Sequence, residues 1–162
     1  MKKEFTILLF VVFAVLFRVI PHPPNFVPIT ALALFGASTF KNKWIGLTIP
    51  LLAMAISDLF LGFYSISVYV YLSFFLISLL GRYWKQIRIK NVFLSSLLFF
   101  IVTNFGVWLM GYPKTLDGFI MCYTLAIPFF GYSLMGDLFF YYVLKYSFNY
   151  TELKLKLNEK LS

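Results

Sequence analysis

Charge is what this sequence has least of. Only 12% of its 162 residues are Asp, Glu, Lys or Arg, against about one-quarter in soluble domains. Cysteine and histidine each occur once. The single cysteine, Cys122, excludes an intramolecular disulfide and has no metal-ligand companion at useful spacing. It reads as a buried small residue. His22 likewise has no Cys, Glu or second His at ligand spacing, so it reads as a satisfied loop histidine or a ring touching a ligand rather than as a metal ligand. There is no HExxH, no Gly-rich phosphate loop and no Ser/His/Asp set with workable geometry. These absences argue against an enzyme, against a bound cofactor and against ATP hydrolysis by this chain alone.

What is present is apolar. Hydrophobic residues make up 61% of the chain and aromatics 22%, with a mean hydropathy of +0.86. That composition belongs to an integral membrane protein built of helices. The formal charge of +8 does not imply nucleic acid, because the basic residues lie between apolar segments and form no aromatic-interleaved face. Lys2 and Lys3 before an apolar run imitate a secretory signal. Arg18 and a proline cluster stand where a cleavage site needs small residues, so the run reads as a retained first helix.

Six apolar segments follow one another: about 5–20, 26–40, 44–62, 66–80, 92–110 and 119–146. The second is short, since roughly 20 apolar residues cross a bilayer. Pro50 lies inside the third and Pro128 inside the sixth, where a kink is expected. If all six cross with the N-terminus inside, twelve Lys and Arg residues fall on the inner side, and only Arg18 and Lys114 fall outside. This asymmetry follows the positive-inside rule and requires segment two to cross. The expected architecture is one six-helix transmembrane domain over 1–146, with a short cytoplasmic tail over 147–162. In the tail Leu153, Leu155 and Leu157 alternate with polar residues, too briefly for a strand.

The stretch Arg18 to Ala37, RVIPHPPNFVPITALALFGA, interrupts this pattern. Pro21, Pro23, Pro24 and Pro28 each fix φ and remove a backbone donor, so no regular helix runs through them. Irregular backbone at membrane depth is tolerated only where protein buries it or where it lines a watery cavity.

Ionisable residues within apolar segments are costly and need partners; here they are Arg18, Asp58 and Asp137. Arg18 and Asp58 fall at the same, outer end and can pair, either as a structural lock or facing a ligand. Asp137 falls on the inner half, beside Gly136, whose lack of a side chain admits another backbone. It serves either as a hydrogen-bonding group or in a proton relay or partner contact. Asn25, Asn104 and Trp108 form a suggestive set with Tyr112 and Tyr123 at the outer mouth. Asn104 and Trp108 share a helix face. The set reads equally as a small-molecule pocket or as an interfacial aromatic belt. Ala33, Gly36 and Ala37 allow close helix packing, inside the bundle or against another subunit. The candidate ligand contacts are thus Arg18, His22, Asn25, Asp58, Asn104 and Trp108.

The Arg18–Ala37 stretch, together with SDLFLG (57–62), TNFGVW (103–108), CYTLAIPFF (122–130) and GDLFF (136–140), resembles an uncharacterised family of small bacterial membrane proteins. That family in turn is similar to the substrate-binding S components of energy-coupling factor vitamin transporters. The resemblance implies a multi-pass protein of the bacterial inner membrane, with six helices and both termini cytoplasmic. It also implies a vitamin-like small molecule captured from outside beneath loops one and five, and a separate transmembrane coupling subunit with ATPases as partners. S components carry an AxxxA-like docking motif in helix one, where this chain offers only Ala14 within FVVFAVLF. The reading from another class is a membrane scaffold for envelope machinery, which needs no cavity under loop one.

Overall fold

In the computed structural model the described residues form six α-helices: α1 (Lys2–Val19), α2 (Ile29–Thr39), α3 (Lys43–Leu61), α4 (Ser67–Tyr83), α5 (Ile89–Gly111) and α6 (Leu116–Leu161). The structure describes residues 2–84 and 86–161, with the backbone alone for 2–4, 6 and 152–161. Lys85, and the side chains of Lys2, Lys3, Leu153, Lys154, Leu155, Lys156, Leu157 and Lys160, lie outside the described residues. All six apolar segments of the sequence are helical. Three of them, Lys43–Leu61, Ile89–Gly111 and Leu116–Thr151, are long and apolar enough to cross a membrane.

The shortest helix is the centre of the bundle. Residues Ile29 to Ala37 of α2 are all buried, and α2 packs against every other helix. Small side chains make this possible. A Cβ on Gly46 of α3 would fall 2.8 Å from the Ala37 Cα, and one on Gly81 of α4 would fall 2.9 Å from the Leu34 Cα. Ala33, Gly36 and Ala37 therefore serve packing within the bundle. At 11 residues, α2 rises roughly 16 Å, about half the hydrocarbon thickness.

The proline-rich segment, residues 20–28, is irregular as its prolines require. Asn25 has φ +60°, a left-handed conformation that Asn adopts more readily than most residues. The turn is closed by Phe26 N–H donating to the Pro23 carbonyl (3.1 Å) and Val27 N–H to that of Asn25 (3.0 Å). Phe26 then enters the bundle among Phe17, Phe139 and Phe140.

Local signals set the other ends. The Asn42 side chain caps α3 by accepting from the Trp44 N–H. Gly62 (φ +90°) ends α3, its N–H donating to the Asp58 carbonyl at 2.8 Å. At the opposite end of the bundle, Arg82 donates to the Phe40 carbonyl at 2.9 Å and ties α4 to the last turn of α2. Helix α6 stays helical through Pro128 and runs past residue 146 to Leu161.

Candidate functional site

The ends of α1 and α3 bring Arg18 and Asp58 together. The guanidinium and carboxylate meet at 2.8 Å, with Asp58 3% exposed and the Arg18 side chain 15% exposed. Desolvation makes a buried charge costly unless its remaining hydrogen-bonding positions are filled. Here several of them are filled. Arg18 also donates to the Met54 carbonyl at 3.1 Å and to the Ser57 hydroxyl, while the Tyr71 hydroxyl of α4 donates to the second Asp58 oxygen at 2.8 Å. The ion pair and the Tyr71 hydrogen bond together join three helices.

Above this network lies a cavity of about 210 Å³. Its polar lining comes from Arg18, His22, Asn25, Thr30 and Ser133, its apolar lining chiefly from Met54, Val70, Phe74 and Phe99. A second recess of about 240 Å³ adjoins it, sharing Asn25, Val70 and Phe99 and extending between α5 and α6 past Thr103, Asn104 and Phe130. Asn25 stands at both. The proline-rich segment forms a wall of the space through His22, Asn25 and Val27.

Each polar group has a definable role. His22 Nδ1 lies 2.7 Å from the Ile20 carbonyl. A carbonyl only accepts, so Nδ1 donates. The Phe17 ring packs on the imidazole, 5.7 Å between centroids. Asn104 donates to the Phe100 carbonyl of its own helix at 2.8 Å, which leaves its side-chain oxygen to accept. Aromatic and aliphatic walls carrying a few placed polar groups suit a small organic molecule. Because Arg18 is matched by Asp58, the wall presents donors without an unbalanced charge.

The sequence-derived set divides here. Arg18, His22, Asn25 and Asn104 line the two recesses. Asp58 sits behind Arg18 and holds it in place. Trp108, expected to stack on a ligand, lines neither recess. Its indole donates to the Pro113 carbonyl at 3.1 Å, Lys114 lies over its ring at 5.7 Å, and Phe119 meets it edge-on. The tight α5–α6 turn consumes both the hydrogen bond and the faces of Trp108. Tyr123 is similarly engaged, donating to the Ile101 carbonyl at 2.8 Å.

Sequence reasoning missed Tyr71, Thr30 and Ser133. Thr30 and Ser133 are isolated hydroxyls in apolar runs, a weak signal that was there to be read. Tyr71 carried none among 11 tyrosines. Deeper in the bundle Asp137 is 2% exposed and accepts from Ser96 at 2.6 Å, and Thr30 is within reach of the same carboxyl. Among the described residues no group of His, Cys, Asp and Glu is arranged to hold a metal ion.

Compared with known proteins, the chain has no match among curated proteins and none among solved structures. A family profile does match it, over residues 1–159, and the chain belongs to that family, described as a family of unknown function (DUF6580).

Proposed function

We propose that this protein is a six-span membrane protein that binds a small, vitamin-like molecule from the outer face, in the manner of a transporter S component. The observation that carries the reading is the pair of adjoining recesses under the proline-rich segment, with Arg18 and its partners in the wall. Their combined size is in the few-hundred-Å³ range of small-molecule sites. A scaffold without ligand has no use for such a space.

The distribution of Lys and Arg supports an orientation with both termini cytoplasmic and the recesses outward. A separate transmembrane subunit and ATPases would then drive uptake, because this chain offers no phosphate-binding loop. Docking to such a subunit would not use an α1 small-residue motif. Ala14 is fully buried, and the outward face of α1 carries Leu8, Leu9, Val12 and Leu16 instead.

Native mass spectrometry of the gently solubilised protein tests this reading. A small molecule retained by the wild type, and lost from Asn104→Ala and Thr30→Val variants that still insert, is the expected result. A clean protein mass that appears only with envelope partners, across several lipid and detergent conditions, overturns it in favour of the scaffold.

A further inference from the structure

At the end of the bundle opposite the recesses, the α4–α5 connection and α6 enclose an open groove of about 850 Å³. Arg88, Lys90 and Lys145 line it together with Gln86, Tyr141 and Asn149, and among the described residues none of the lining is acidic. A neighbouring hollow of about 600 Å³ shares Gln86, Arg88 and Lys90. Tyr141 anchors the floor, its hydroxyl donating to the Ile87 carbonyl at 3.3 Å. Lys145 lies over the Tyr141 ring at 5.4 Å. Ile89 and Lys90 open the first turn of the 23-residue α5, so the positive end of the helix dipole adds to the three cations.

We propose that this groove binds the phosphate of an anionic phospholipid headgroup. The inference rests on the membrane reading above but is independent of any ligand in the recesses. Three cations, with no acidic side chain among the described lining residues, are suited to phosphate. What points to a lipid rather than a soluble phosphate is the surface that continues from the groove. Along α5 it runs into exposed Ile89, Phe93 and Leu94, and along α6 into exposed Tyr142 and Tyr146. A headgroup held by Lys90 and Lys145 has an apolar flank against which its acyl chains can lie.

The test is lipid titration of the full chain in mild detergent, with adducts counted by native mass spectrometry. The probes are phosphatidylglycerol, zwitterionic phosphatidylcholine and inorganic phosphate. The wild type is compared with Lys90→Gln/Lys145→Gln and with Lys41→Gln/Lys43→Gln, which removes the same charge from the α2–α3 connection and the first residue of α3, at the same end. At the usual worth of a juxtamembrane cation, losing two weakens phosphatidylglycerol retention roughly thirtyfold. That loss is expected in the groove variant alone, with phosphatidylcholine retained poorly throughout. Equal losses in both variants would reduce the effect to general surface charge and overturn the proposal. Binding of inorganic phosphate without retention of phosphatidylglycerol would make the groove a soluble-anion site and overturn it as well. Because these lysines are exposed and outside the recesses, failure here leaves the small-molecule reading standing.

Discussion

Gly136 of α6 lies so close to Phe26 that a Cβ on the glycine would come within 2.9 Å of the Phe26 Cα and 3.1 Å of its ring. This contact seats the proline-rich segment against the bundle. Gly136→Ala therefore has to displace backbone rather than a flexible side chain. Overpacking of this kind costs about 1–3 kcal/mol. Thermal unfolding in detergent should show the loss, and ligand retention should fall with it because the displaced segment walls the cavity. An unchanged midpoint would mean that the segment adjusts freely.

The Arg18–Asp58 pair makes a sharper prediction. Removing one partner of a buried ion pair leaves the other charge uncompensated, at roughly 3–5 kcal/mol. Asp58→Ala should fall near the lower end, since Arg18 still reaches the Met54 carbonyl and keeps some exposure. Tyr71→Phe deletes one hydrogen bond to a charged acceptor, worth about 1.5–3 kcal/mol. Combining Arg18→Met with Asp58→Leu should cost less than the two single changes added together. Strict additivity in that double-mutant cycle would mean that the two charges do not support one another.

Asn25 allows backbone and side chain to be separated. Its φ of +60° suits glycine, so Asn25→Gly should leave thermal stability within about 0.5 kcal/mol, the range of a site without strain. It would nevertheless remove the amide that stands at both recesses. Asn25→Val forces a β-branched residue into a left-handed conformation and should cost about 1–2 kcal/mol. Weakened ligand retention in the glycine variant, with the fold intact, is the result to look for. Equal retention in glycine and wild type would take Asn25 out of the site.

Much of this arrangement was legible in the sequence because single residues broke a strong background. Prolines in an apolar run marked the irregular segment, and a lone arginine and aspartate at matching ends of their helices marked the ion pair. The packing role of Ala33, Gly36 and Ala37 was half legible. Small residues announce close approach, but only the bundle shows that the partners are Gly46 and Gly81 within the same chain. Trp108 shows how a following turn can alter a residue's surroundings. Helical spacing places it on a face with Asn104, yet the turn that follows brings Lys114 and the Pro113 carbonyl back onto its ring. Tyr71 was illegible because nothing local separates a tyrosine bonded to a buried carboxylate from one at a lipid interface.

Asp137 and Ser96 offer the last prediction, at a place the ligand reading does not use. The carboxyl is buried, and the Ser96 hydroxyl reaches it at 2.6 Å while also lying 3.1 Å from the Val92 carbonyl. Ser96→Ala withdraws that donor and leaves a buried acceptor short of a partner, a change that costs about 1–3 kcal/mol. Asp137→Asn keeps an oxygen for Ser96 and brings an amide donor of its own, so it should cost less than Ser96→Ala. Thr30 lines the cavity and is within reach of this carboxyl. Thermal unfolding of both variants, with ligand retention measured on the same samples, gives the decisive comparison. If Asp137 is purely structural, Asp137→Asn leaves retention intact. A loss of retention at preserved stability would instead make the carboxyl part of the binding event.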